Sequence, residues 1–286
     1  MSEQLEALIR LACQAEVLAR KPGNVHPEAS FNDLDADDFL RAADAVAPRL
    51  AEAAELGVGK AVYESVRATR QSVATNANLG ICLLLAPCAA AVGQGDALRP
   101  ALARRLEALS VDDARWAYRA IRLAMPGGLG TAEQQDVSDE PTVTLLEAMR
   151  LAADRDDVAR QFVTGFEDVF ETGLSALRDF RAAGIERAII GAHLRLMAAR
   201  PDTLILRKCG PGIATESAQR AAAVLEAGWP DRGDADLAGL DHWLRADGHR
   251  RNPGTTADLI AATIFVALCE GVLDSARVRQ WAFKLA

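Results

Sequence analysis

Three polar loops in this 286-residue chain carry side chains able to bind phosphate or a hard cation, and each runs into a helix. The first is Arg20-Lys21-Pro22-Gly23-Asn24-Val25-His26, followed by the acidic stretch Asn32–Asp38. Pro22 and Gly23 make a tight turn whose amides can face an anion, beside Asn24, and Lys21 supplies a point charge suited to phosphate. Asp33, Asp35 and Asp38 could hold Mg²⁺, which takes oxygen ligands and bridges to substrate phosphates. Asp35 also fits an N-cap, and Asp37 and Asp38 suit the dipole of a first helical turn. Asp33 lies ahead of that helix and is the better candidate for a catalytic carboxylate.

The second loop, Ala74-Thr75-Asn76-Ala77-Asn78-Leu79-Gly80, precedes an apolar helix. Thr75 or Asn76 can cap it. A single cap does not explain two amides, Asn76 and Asn78, at the mouth of a buried helix, where unpaired polar groups are costly. A structural network and a nucleotide contact both account for them. The third loop, Arg250-Arg251-Asn252-Pro253-Gly254-Thr255-Thr256-Ala257-Asp258, feeds another apolar helix. Thr255 or Thr256 can cap it, and Asp258 falls in its first turn. Sites in helical bundles form at facing central helices, which makes Asn252 and Thr255 candidate binding residues and Asp258 a candidate catalytic one. A fourth segment, Asp202 to Gly210, places Arg207 and Lys208 beside glycine. They either close a short helix or sit over phosphates.

Of the four histidines, His26 alone is inside a candidate loop. His193 reads as an ordinary helix residue, and His242 and His249 lack zinc-ligand spacing. No HExxH, GxSxG or GxxxxGK[ST] pattern occurs, which weighs against a zinc protease, an α/β-hydrolase and a P-loop enzyme.

The elements that must position these loops are helical. Leu5, Leu8, Ile9, Ala12 and Cys13 share one helix face, and Phe162 to Leu177 predict a long helix from about Val158 to Phe180. Further helices are predicted over Ile185–Ala199, Thr215–Ala227 and Ala257–Val272. Leu79–Val92 and Leu259–Leu268 are apolar nearly all round and belong at a bundle centre. Thr203–Leu206 is the one short run suited to a strand. Loops fall at Lys21–Asn32, Pro126–Pro141, Arg207–Gly212, Gly228–Asp236 and Gly248–Thr255, with Pro126–Pro141 a candidate lid. With no repeat and no linker, the expectation is all-α: a single-domain multi-helix bundle, 1–286, with central apolar helices.

Composition narrows the function. Half of the residues are hydrophobic, a quarter are charged, and the net charge is −8. An acidic chain with 5% aromatic residues argues against nucleic acid and against an anionic membrane surface. The charged start, MSEQLEALIR, lacks an export signal, and five unpaired-looking cysteines read as reduced thiols, so a cytoplasmic setting is expected. Arginine outnumbers lysine 28 to four, which draws attention to Lys21 and Lys208.

In this order the loops resemble the triphosphoribosyl-dephospho-CoA synthase family. The matching pieces are Lys21-Pro22-Gly23, Thr75-Asn76-Ala77-Asn78-Leu79-Gly80, Asp202-Thr203 with Arg207 and Gly210, and Pro253-Gly254 with Ala257-Asp258-Leu259, spread over nearly the whole chain. Members serving citrate lyase carry Asn-Thr-His-Lys-Gly where this chain has Asn76 to Gly80, and Asp where it has His26. The form here is similar to a sister branch of archaea and C1-metabolising bacteria. The resemblance implies a transferase that moves the triphosphoribosyl group of ATP to 3′-dephospho-CoA or a related cofactor precursor, with release of adenine. It further implies phosphate binding by Lys21, Arg207 and Lys208, with Gly23, Asn24, Asn76, Asn78, Asn252 and Thr255 around the nucleotide. Mg²⁺ would be held by Asp33, Asp35 and Asp38, and a carboxylate, Asp33 or Asp258, would assist at the ribose. A homodimer is compatible with this. Other readings are a methanopterin-type cofactor enzyme using ATP with another acceptor, a Mg²⁺-dependent nucleotide hydrolase, and a non-catalytic nucleotide-binding bundle.

Overall fold

The computed structural model describes residues 2–73, 77–93, 97–126 and 130–285. Among them are sixteen α-helices and no strand, as the periodicity predicts. The chain gathers into two compact units, Met1–Gln14 with Asp37–Phe166, and Ala15–Ala36 with Glu167–Ala286. The sequence reads as one domain because a boundary inside the first helix leaves no Gly/Ser/Pro linker to see.

Helix α1 (Ser2–Leu18) begins in the first unit and ends in the second. The first unit continues with α2 (Ala36–Ala51), α3 (Ala53–Leu56), α4 (Val58–Ser72), α5 (Leu79–Ala91), α6 (Leu98–Glu107), α7 (Val111–Ala124), α8 (Leu145–Ala152) and α9 (Asp157–Thr164). Almost every residue of α5 is buried, so it is the central helix that its all-round apolarity predicts. Capping boxes start α7 (Ser110 with Asp113) and α8 (Thr144 with Glu147). Helices α4 and α7 approach so closely that a Cβ on Gly59 would lie 2.2 Å from the Asp113 carbonyl oxygen. The candidate lid is tied down over its described part: Tyr118 donates to the Gln135 carbonyl at 2.7 Å, and Arg122 to that of Val137 at 2.6 Å. Residues 127–129 of it lie outside the described residues.

The second unit holds α10 (Leu174–Phe180), α11 (Ile185–Ala199), α12 (Thr203–Cys209), α13 (Pro211–Glu226), α14 (Asp234–Arg245), α15 (Gly254–Cys269) and α16 (Ser275–Ala282). Helix α15 is apolar and buried along most of its length. One core of this unit joins Ile190, Leu194 and Met197 of α11 to Val224, Trp229, Leu240 and Leu244.

Two expectations are corrected. The long helix over Val158–Phe180 is broken: Gly165, at φ 64°, ends α9, and Asp168–Gly173 forms a π-helical turn before α10. A wide turn brings Gly173 against Thr263 of α15, where a Cβ would lie 2.5 Å from the Thr263 hydroxyl. The Thr203–Leu206 run is not a strand but the first turns of α12. Asp202 caps it, and a cap outweighs the weak strand preference of so short a run.

Candidate functional site

The second unit brings three of the four motif segments together. The Lys21–Asn24 turn rests on α14: the Gly23 amide donates to Asp241 Oδ1 at 2.7 Å, and Arg245 donates to the Asn24 carbonyl at 2.6 Å. Asp241 and Arg245 also bond each other at 2.8 Å, so one ion pair serves both an N–H and a C=O of the turn. Glycine is required at position 23, where φ is +70° and a Cβ would meet Leu244 Cβ at 2.6 Å. From this turn the Asn24 amide donates to Asn252 Oδ1 at 2.9 Å, linking residues 228 apart in the chain.

Asp202 makes the second link. Its carboxylate is buried, with Oδ1 accepting from the amides of Leu204 and Ile205 at 2.8 and 3.0 Å, the N-cap of α12. Oδ2 accepts from the Thr256 amide at 2.7 Å and its hydroxyl at 2.8 Å, in the first turn of α15. Helix α15 is therefore capped from α12, whereas the sequence suggests Thr255 or Thr256 as its own cap. Thr255 instead bonds Thr203, hydroxyl to hydroxyl, at 3.2 Å. Burial pushes the Asp202 pKa up, and the four hydrogen bonds oppose that push.

Lys21 differs most from its sequence reading. It is not a loop cation open to phosphate: the side chain is fully buried, with Nζ 3.0 Å from Glu16 Oε1 and bonded to the Glu16 carbonyl. Burial lowers the Lys21 pKa and raises that of Glu16, and each charge counteracts the shift of the other. His193 of α11 is fully buried, and both of its ring nitrogens lack a partner among the described residues. Its pKa is held far below the usual value by burial and by the charge of Lys21.

His26 follows the turn. The residue is 8% exposed, and Nδ1 accepts the Glu28 amide at 3.3 Å. Burial, then the charges of Arg245 and Lys21, lower its pKa to about 4, against the opposing pull of Asp241 and Glu28. The imidazole is neutral at pH 7, and with Nδ1 accepting, the proton sits on Nε2.

Arg207 and Lys208 occupy the last turn of α12, partly exposed, where their charge suits the helix dipole. Arg250 donates to the Lys208 carbonyl at 2.8 Å, bringing the Gly248–Thr255 loop to that end of α12. Asp258, partly exposed, lies one turn into α15. Asp33 and Asp35 are exposed, and Asp38 pairs with Arg41. Among the described residues no three His, Cys, Asp or Glu side chains are gathered as a metal site, so the acidic stretch does not form an enclosed Mg²⁺ cage. In the first unit Asn78 sits at the N-cap position of α5 without capping it, and Oδ1 accepts from the Thr69 hydroxyl at 3.0 Å. Asn76 lies outside the described residues.

Sequence reasoning missed Glu16, Asp241 and Arg245, and gave Asp202 no role of its own. The Asp241–Arg245 spacing is an ordinary i,i+4 surface pair and carries no mark of the turn it holds. Asp202 ahead of an apolar run is an N-cap signature that could have been read.

Against known proteins, the model of the family described as ATP:dephospho-CoA triphosphoribosyl transferase, CitG, matches residues 2–276. A protein of Stutzerimonas stutzeri (strain A1501), assigned as a 2-(5''-triphosphoribosyl)-3'-dephosphocoenzyme-A synthase, is 39% identical over 108 residues, 36% of either chain. One of Pseudomonas putida with the same assignment is 40% identical over 109 residues, 36% of this chain and 37% of its own. The chain thus spans little more than a third of the length of these relatives. A crystal structure from Archaeoglobus fulgidus, assigned as a triphosphoribosyl-dephospho-CoA synthase, matches at a TM-score of 0.66 and 28% identity, covering 82% of this chain and 99% of its own. No helix among the described residues is long and apolar enough to cross a membrane. The match across residues 2–276 carries the conclusion: this chain belongs to the ATP:dephospho-CoA triphosphoribosyl transferase family.

Proposed function

We infer that this chain transfers the triphosphoribosyl group of ATP to the ribose 2′-hydroxyl of 3′-dephospho-CoA or a closely related cofactor precursor. The new bond joins that oxygen to C1′ of the ATP ribose as the C1′–N9 bond breaks. Adenine leaves with the electron pair and takes up a proton, and the hydroxyl proton passes to a base. The observation that supports this most is the joining of distant family motifs in one unit through the Asn24–Asn252 and Asp202–Thr256 bonds.

In this reading Arg207 and Lys208 meet the phosphates. Asn24, Asn252 and Thr255 shape the site through the hydrogen-bonded frame. Lys21 acts by anchoring the turn beside it, since its charge is engaged by Glu16. Asp258 or Asp33 supplies the carboxylate that takes the hydroxyl proton or stabilises positive charge at C1′. Mg²⁺ arrives with the triphosphate and needs only one or two carboxylates of the Asp33–Asp38 stretch, phosphate oxygens and water completing its shell.

The test is incubation of purified protein with ATP, Mg²⁺ and 3′-dephospho-CoA, followed by mass spectrometry. Adenine and the triphosphoribosyl conjugate in equal amounts are the expected products. Adenine without conjugate marks a hydrolase, and neither product with any dephospho-CoA-type or pterin acceptor removes the transferase reading.

A further inference from the structure

The polar side chains of the Lys21–His26 turn are nearly all engaged within the protein. Lys21 is given to Glu16, and the Asn24 amide to Asn252. The neighbouring Arg245 is spent on Asp241 and the Asn24 carbonyl. His26 is the exception. The residue is more than nine-tenths buried and is held by the Glu28 amide at Nδ1, and no hydrogen bond engages Nε2 among the described residues.

A donor of this kind is already ordered. Burial fixes the ring and the Glu28 contact fixes the tautomer, so no rotamer freedom is lost when an acceptor arrives. The ring is also uncharged, so a ligand oxygen can meet the N–H without displacing a protein counter-ion. An N–H left unengaged at the edge of an otherwise satisfied network is the group still open to a ligand acceptor.

We propose that His26 is a nucleotide-binding residue whose Nε2–H donates a hydrogen bond to a phosphate oxygen of ATP. This rests on the reading of the chain as an ATP-dependent transferase, and adds to it a contact made by one side chain of the turn.

Calorimetry with ATP and Mg²⁺ on wild type, His26→Phe and His26→Gln tests it, with thermal unfolding measured alongside. Phenylalanine keeps the ring and removes the donor; a glutamine amide can place a neutral N–H near the position of Nε2. Loss of one such bond predicts roughly tenfold weaker ATP binding by His26→Phe, with recovery to within about threefold of wild type by His26→Gln. Equal ATP affinity of His26→Phe and wild type overturns the proposal, and so does a glutamine variant no better than the phenylalanine one. Should His26→Phe fail to fold, the imidazole ¹⁵N and Nε2–H resonances of the wild type decide: they shift on saturation with ATP if the contact forms, and their constancy refutes it. The two readings fail separately. Normal conjugate formation and ATP affinity in His26→Phe leave the transferase standing without this contact, whereas a wild type that binds no ATP removes both.

Discussion

Lys21→Met tests the buried ion pair, because it removes the ammonium and keeps most of the side-chain length. Glu16 is then left buried with no countercharge. At 3.0 Å the two charges attract by about 5.5 kcal/mol at an effective dielectric constant near 20. Removing one member of a buried pair typically costs about 3–5 kcal/mol, because the survivor must be neutralised or hydrated in place. The two figures are close, and the expected loss is about 3–5 kcal/mol. At about 2.1 cal/mol/K of unfolding entropy per residue over 286 residues, this lowers Tm by about 5–8 °C. The loss also depends on pH in a definite direction. Burial raises the folded pKa of Glu16 above its unfolded value near 4.3, an effect that Lys21 no longer opposes. Between those two values the folded variant binds more protons than the unfolded chain, so its stability falls as pH rises. The defect should therefore be smallest near pH 4–5 and largest at pH 8, and adding Glu16→Gln should recover most of it. Urea denaturation of wild type, both single variants and the double variant at the two pH values gives the coupling directly. A loss below about 1 kcal/mol at pH 8, together with weakened ATP binding, would refute the buried pair and restore Lys21 as a phosphate contact.

Two substitutions test the frame of the site. Asp202→Ala removes the cap of α12 and leaves the buried Thr256 amide without its acceptor, and should cost about 2–4 kcal/mol in urea denaturation. Gly23→Ala forces a Cβ onto Leu244 at a left-handed φ and should cost about 2–4 kcal/mol, with faster hydrogen exchange at the Asn24 amide; unchanged exchange there would show that the turn is not held by close packing.

The parts of this molecule that were legible in the sequence are those decided by local pattern. Helices α5 and α15 are apolar all round, and no partner need be known to place such a helix in a core. The break at Gly165 was harder, because the apolar face of Phe162 to Leu177 runs on across it; the wide turn that follows is set by the approach of Thr263, a residue about 90 positions away. Helix α14 offered still less. Gly233 and the acids after it look like a loop running into a surface helix, and the feature that matters, an ion pair turned towards residues 23 and 24, exists only once the chain has returned on itself.

The same reasoning explains why Lys21 was recognised as unusual and then misplaced. A lysine in an arginine-rich chain, next to Pro-Gly, signals a special position but not which way its charge points. Burial decided that. Glu16 lies on the last turns of α1 and Lys21 just beyond it, so the helix end folds the ammonium back onto its own carboxylate and the Glu16 carbonyl. A cation committed in this way holds the turn at the end of α1, from which Asn24 reaches Asn252 and beyond which His26 presents its N–H. A conspicuous charge can thus serve to build a turn and not to meet a ligand, which leaves the neutral ring of His26, five positions on, as the contact proposed for nucleotide.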